Sequence, residues 1–179
     1  MKLFLSIILL MFIAGCSNDN VKPTIDTSLK SGELPTQESW NSTIVFSDSG
    51  KTKAILKTGH LSVFDQLQET LFDHGLKVDF YDDNMVKTST ITSKRGKVND
   101  ATKDLYAIDS VVAVNDSGTV LKTRELMFRN SDQKIVSDKF VTIISPKETI
   151  QGYGFESDRS LRNYVIYNIT YVTRTDTTK

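Results

Sequence analysis

The sequence predicts an all-β domain built from repeated antiparallel hairpins, and three observations carry that prediction. Phe46-Ser47-Asp48-Ser49-Gly50, Phe80-Tyr81-Asp82-Asp83-Asn84 and Val114-Asn115-Asp116-Ser117-Gly118 recur at a spacing of 34 residues. In each, an apolar strand end runs into an Asp-centred turn closed by Gly or Asn, the residues that best tolerate a left-handed backbone. Each turn is followed by a related arm: Ile55-Leu56-Lys57-Thr58, Thr90-Ile91-Thr92-Ser93 and Val120-Leu121-Lys122-Thr123. The third observation is alternation, which places Trp40, Ser42, Ile44 and Phe46 on one side, Val78 with Phe80, and Val112 with Val114. A period of 34 also belongs to helix–turn–helix repeats. These units instead carry Val, Ile, Thr and Phe in short runs between turns, which indicates a sandwich, a barrel or an open β roll.

The N-terminus reads as an export signal. Lys2 precedes an apolar run from Leu3 to Ala14 broken only by Ser6. That run is too short to span a bilayer, which takes about 20 residues, but it suits a signal-peptide core. It ends at Ile13-Ala14-Gly15-Cys16, the pattern of a bacterial lipobox, so residues 1–15 are expected to be removed and Cys16 lipidated. Two or three acyl chains anchor stably where one would not, at about 0.8 kcal/mol per buried CH₂. Cys16 is the sole cysteine, so no internal disulfide is available and the fold must hold by its core.

Residues 16–39 hold two prolines and few large apolar side chains, a composition that cannot offset the entropy of ordering it. They read as a tether, with a root-mean-square reach of about 25–30 Å. The chain from Cys16 onward is long enough for one domain with a substantial core and, without Lys2, carries one net negative charge. Nothing in it offers nucleic acid a basic face.

The domain is expected over 40–174, with a polar tail at 175–179. Leu61, Phe64, Leu67 and Leu71 have helical spacing and Gly75 could cap a helix, so periodicity leaves Leu61 to His74 open between a helix and a strand with a loop. Leu121 and Leu126 are an odd number of residues apart, and facing them the same way requires a β-bulge near Arg124. Ile135 to Ile144 is rich in strand formers. Asn163 to Thr173 alternates as a final strand, with Tyr164, Ile166, Asn168 and Thr170 on one side and Val165, Tyr167, Ile169 and Tyr171 on the other.

Catalytic patterns fail when checked. Gly50-Lys51-Thr52 ends like a P-loop, but Val45 stands where the first Gly belongs. Gly152-Tyr153-Gly154 has Ser157 in place of a third Gly, and no Ser sits in a Gly-x-Ser-x-Gly elbow. His60 and His74 are the only histidines, and their spacing assigns no metal. Asp82-Asp83 could pair as carboxylates or hold calcium, though a hairpin turn accounts for them better. The chain reads as a non-enzyme without cofactors.

One ordered set of residues carries a family resemblance. Gly118, Leu121, Thr123, Glu125, Leu126 and Phe128 are followed by Ser137-Asp138, Val141 and Ile143, then by Gly152 and Gly154-Phe155-Glu156-Ser157-Asp158. In this arrangement the chain resembles the LptC family, the periplasmic component of the lipopolysaccharide-export machine, over Trp40 to Val172.

The resemblance implies an open β-jellyroll of the OstA/LptA type, with a strand and loop over Leu61 to His74. It implies a groove lined by Ile44, Phe46, Phe80, Val112, Val114, Phe128, Val141, Ile143 and Phe155 that takes the lipid A acyl chains of lipopolysaccharide. Partners are expected to be the permeases of an inner-membrane ABC exporter and an LptA-like bridge protein, with Tyr164, Ile166, Asn168 and Thr170 on a partner-facing edge strand. The place is the periplasmic face of the inner membrane, held by the lipid anchor. Two departures stand out. Well-known members carry an N-terminal transmembrane helix where this chain has a lipobox, and Ser17 after Cys16 favours the outer membrane by the enterobacterial sorting rule. Taken singly, each groove residue suits a closed core better than a groove. A structural or adhesive β lipoprotein without lipid cargo is therefore the alternative, and an enzyme using the turn aspartates a remote third.

Overall fold

The computed structural model describes residues 34–174. The export signal, Cys16, most of the tether and the tail lie outside these residues. Among the described residues the chain forms ten strands: β1 (Gln37–Asp48), β2 (Lys51–Phe64), β3 (Glu69–Tyr81), β4 (Lys87–Ser93), β5 (Arg95–Asn99), β6 (Leu105–Asn115), β7 (Val120–Arg129), β8 (Lys134–Ile144), β9 (Glu148–Ser157) and β10 (Tyr164–Arg174). All pair antiparallel in one sheet, in the order β1-β2-β3-β4-β6-β7-β8-β9-β10, with β5 continuing beyond β4 between β3 and β6. The fold is all-β, as the hairpin pattern predicts, and of the β-jellyroll kind, as the resemblance implies.

The three repeated turns are hairpin turns. Ser49 and Gly50 take φ of 51° and 76° between the paired residues Asp48 and Lys51, a twist that matches the flanking strands. Oδ1 of Asp82 accepts from the backbone N–H groups of Asn84 and Val86, each at 2.9 Å. In the third turn the organiser is Asn115 rather than Asp116. Its Oδ1 accepts from Ser117 N, Ser117 Oγ and Thr119 N at 2.8–3.0 Å. These Asx-type bonds satisfy turn amides that the ladder leaves unpaired.

Leu61 to His74 is strand, turn and strand. Asp65–Leu67 makes one 3-10 turn between β2 and β3. Leu61 pairs with Phe72 and both are buried, whereas Leu67 and Leu71 are exposed. Helical spacing here was a coincidence of the end of one strand and the start of the next, and Gly75 sits in a bulge at φ 94° rather than capping a helix.

A seam of kinks crosses the sheet at mid-strand. Asn41 at φ 53° on β1, His74–Gly75 on β3, Lys94 between β4 and β5, Asp109–Ser110 on β6 and Gly154 on β9 mark it. The β7–β8 register slips between Thr123 and Met127, and Leu121 and Leu126 are both buried, so the bulge expected near Arg124 is there. Gly75 N donates to Lys94 O at 3.1 Å and Lys94 N to Asp109 O at 3.0 Å. Elsewhere hydroxyls fill the gaps. Thr58 Oγ1 donates to Asp73 O, Thr123 Oγ1 to Phe140 O and Ser137 Oγ to Glu125 O. A kink that strands backbone groups without such partners would cost about 1–3 kcal/mol each.

Kinking lets one sheet fold over its own apolar face. Phe80 on β3 and Phe128 on β7 belong to non-neighbouring strands, yet their ring centroids are 5.5 Å apart. The core comprises Leu56, Phe72, Leu76, Val78, Phe80, Ile91, Val111, Ala113, Leu121, Leu126, Ile135, Val141, Ile143, Phe155 and their neighbours. Burying each of the larger side chains stabilises the fold by about 1.5–3 kcal/mol before entropy is charged against it.

One expectation is corrected here. Val112 and Val114 do not face the interior; Val111 and Ala113 do, both fully buried, while Val114 is 38% exposed. Val112 pairs directly with Lys122, and directly opposed residues share a face, so a solvated lysine draws Val112 outward.

Candidate functional site

The interior is lined by rows that run across the strands. Ile44, Leu56, Val78, Ile91, Ala113, Leu121, Ile143 and Ile150 are each the direct cross-strand partner of the next. This apolar row crosses eight strands, about 34 Å measured along the sheet at the usual strand spacing of about 4.8 Å. A second row runs from Phe46 through Ala54 to Phe80 and ends on Ser89 and Asn115. On the other side of the seam, Leu105, Phe128 and Ile135 form one row and Ser137, Phe155 and Ile166 another.

Seven of the nine predicted groove residues therefore share the inward face. Phe80, Val141, Ile143 and Phe155 are fully buried, and Ile44 and Phe128 pack partly buried against them. Phe46 lies on the same face at the end of β1, where it is 44% exposed. Val112 and Val114 lie on the outer face, as described. Leu56, Val78, Ile91, Ala113 and Leu121 complete the rows and were passed over. The signal for Ala113 was its position beside Val112 and across the hairpin from Leu121, its direct partner.

Two edges remain unpaired, because no ladder joins β1 to β10 among the described residues. On β10, Tyr164 and Ile166 pack on the core, while Asn168 and Thr170 are exposed. Tyr164 lies 6.2 Å from Phe155 ring to ring, and burial pushes its hydroxyl pKa up. Val165, Tyr167, Ile169 and Tyr171 are exposed as well, but the register slips between Ile169 and Tyr171, which pair with the adjacent Gly152 and Gln151 and so turn to opposite faces.

The loop 158–163 closes the interior on one side. Leu161 is only 3% exposed and joins the core. Its carbonyl accepts from Asn115 Nδ2 at 3.1 Å, and the Arg159 carbonyl accepts from Ser89 Oγ at 2.5 Å. Arg162 pairs with Asp116, and its guanidinium holds that carboxyl below the usual range. Asp158 ties the loop to itself through Ser160 Oγ at 2.6 Å and Asn163 Nδ2 at 2.7 Å. Burial pushes the Asp158 pKa up, but these hydrogen bonds outweigh it and leave the pKa lowered. Beside the loop, an open cleft of about 1000 Å³ is lined by Lys134, Glu148, Glu156, Arg159, Arg162 and Tyr164 among others. Leu161, an isolated apolar residue in a polar run, carries no such signal in the sequence.

Chemically, the interior offers mainly dispersion and apolar contact, and polar side chains such as Ser89, Asn115 and Ser157 within it are already hydrogen-bonded. No buried side-chain polar atom lacks a partner among the described residues. Asp82 and Asp83 are engaged structurally, the first in its turn and the second with Lys53. Such a surface suits a hydrocarbon cargo whose polar head stays in water.

Comparison with known proteins places this geometry. The family model described as "Lipopolysaccharide-assembly, LptC-related" matches residues 3–172. No curated protein matches the chain.

Proposed function

Because the chain belongs to the LptC family of lipopolysaccharide-assembly proteins, we propose that it receives lipopolysaccharide from an inner-membrane ABC exporter into its β-jellyroll interior and passes it to a periplasmic bridge of similar fold. The family places it in lipopolysaccharide transport at the inner-membrane export system, on the periplasmic side. No helix among the described residues is long and apolar enough to cross a membrane. Lipidation at Cys16 supplies the membrane attachment in this reading.

The observation that carries the proposal is the unbroken inward row from Ile44 to Ile150, ending near strands whose outer edges are unpaired. Acyl chains lying along it make many weak contacts and no directional ones, so cargo is held without being trapped. Entry requires the loop 158–163 and the Phe80–Phe128 contact to part, because in the described state the interior is packed. Tight packing is also what favours the second reading, a structural β lipoprotein with a sealed core. The free edge of β10, with Tyr164, Ile166, Asn168 and Thr170, is the proposed junction with the bridge protein through strand addition.

Photocrosslinking in cells separates the two readings. A reactive residue at Phe80, Ala113, Phe128 or Phe155 is expected to give lipopolysaccharide adducts that disappear when ATP is depleted, with Val112 and Lys122 as outward controls. Protein-only adducts at the inward positions would establish the sealed core and overturn the carrier.

A further inference from the structure

We propose that His60, Asp73 and His74 form a binding site for one divalent transition-metal ion of the zinc class, on the outer face of the N-terminal strands. The site is independent of the lipid-carrier reading.

The strands build it. Trp40 pairs directly with His60, and His60 directly with Asp73, so the three side chains share one face of β1, β2 and β3. His74 would ordinarily point away from that face. The bulge at His74–Gly75 opposes two β3 residues to Gly59, and His74 takes φ 56°, which returns its ring to the face of Asp73. Gly59 makes the approach possible: a Cβ there would lie 2.6 Å from the His74 carbonyl oxygen and 2.7 Å from its Cβ.

Donor atoms of all three residues lie within 4.8 Å of one another. Nδ1 of His60 and Nδ1 of His74 are each 3.2 Å from Oδ1 of Asp73. Donors at about 2.0–2.1 Å around a tetrahedral ion are about 3.3 Å apart, so these two separations match two edges of such a tetrahedron, and the third pair of donors lies within 4.8 Å. The outer contact is in place as well. Nε2 of His60 lies 3.1 Å from Oε1 of Glu38. A proton on Nε2 donated to Glu38 leaves Nδ1 as a lone pair aimed at a carboxylate and a second imidazole. A cation between them satisfies all three, in the carboxylate–histidine–metal arrangement.

Two imidazoles and one carboxylate favour zinc, nickel or copper over calcium or magnesium, which prefer all-oxygen sets. Trp40 covers the site, its ring 4.0 Å from that of His60 and 5.8 Å from that of His74. His74 remains largely exposed, which leaves the fourth position to water or an external ligand. A bound ion would brace the bulge of β3 against β2.

Trp40 is the only tryptophan in the chain, so its emission reports on this site. Full-length protein in detergent titrated with NiCl₂ is expected to show saturable quenching at one ion per chain, reversed by chelator and prevented by prior ZnCl₂. His74→Ala, whose ring is exposed and whose loss leaves the fold intact, should weaken binding at least about tenfold, and Glu38→Ala, outside the ion's own ligands, by about tenfold. ZnCl₂ should raise the melting temperature of the parent chain but not that of Asp73→Asn. Quenching that does not saturate, or that saturates equally in His74→Ala, would overturn the site and leave a hydrogen-bonded cluster that holds protons only.

Discussion

The rings of Phe80 and Phe128 meet across the interior with centroids 5.5 Å apart, joining β3 to β7, which share no ladder. The contact ties together the two halves of a folded sheet. Phe80→Ala should cost about 3–5 kcal/mol in urea unfolding, and Phe128→Ala less, because Phe128 is only partly buried.

Leu161 and Asn115 form the other tie. Leu161→Ala removes a core side chain at about 2–5 kcal/mol. Asn115→Ala loses one donor to the Leu161 carbonyl and the acceptor that organises the β6–β7 turn, at about 1–3 kcal/mol. Hydrogen exchange at residues 158–163 should accelerate in both variants, and it should be unchanged in a surface variant on another strand such as Lys57→Ala.

Acid should loosen the same loop. The Asp158 carboxyl sits below its ordinary value of 3.8 in the folded chain, because hydrogen bonds from Ser160 and Asn163 outweigh burial. A depressed folded-state pKa contributes stability that is present above the unfolded value and is lost as pH falls through the folded one. Stability measured from pH 5 downward should therefore decline less steeply in Asp158→Asn than in the parent chain.

Facing can be checked directly. Ala113 is fully buried and its neighbour Val114 is 38% exposed. A maleimide should label Val114→Cys readily and leave Ala113→Cys protected until the protein unfolds. Equal labelling would reverse the assignment of β6.

Gly59→Ala tests the seam. Its Cβ would collide with the backbone of His74, so the bulge must shift. Loss of stability and an altered Trp40 emission spectrum are expected together, since Trp40 stacks on His60 one residue along.

Most of the fold was legible because hairpins are local. The turns after Phe46, Phe80 and Val114 announce themselves by residue type, and the strands between them by β-branched content. The resemblance to the LptC family rested on Gly118 to Asp158, and the family match spans residues 3–172. Facing was harder. Val111 to Val114 is apolar at every position, so alternation cannot say which pair turns inward, and that is decided by the partners Leu121 and Lys122. Leu61 to His74 misled by periodicity for a related reason, since the end of one strand, a turn and the start of the next can mimic one helical stripe.

The sequence by itself determined the β class, the hairpin turns and the strands that carry the apolar rows, because these depend on backbone preferences of neighbouring residues. Tertiary structure alone decided what meets across distance. Leu161 reaches the core only because its loop folds back onto Asn115 and Ser89. His60 and His74, whose spacing in the chain assigned no metal, converge only because β2 and β3 pair and a bulge opposite Gly59 turns one more side chain to the same face. A bulge shifts facing by one residue, and that shift is set by the packed sheet rather than by the residues it moves.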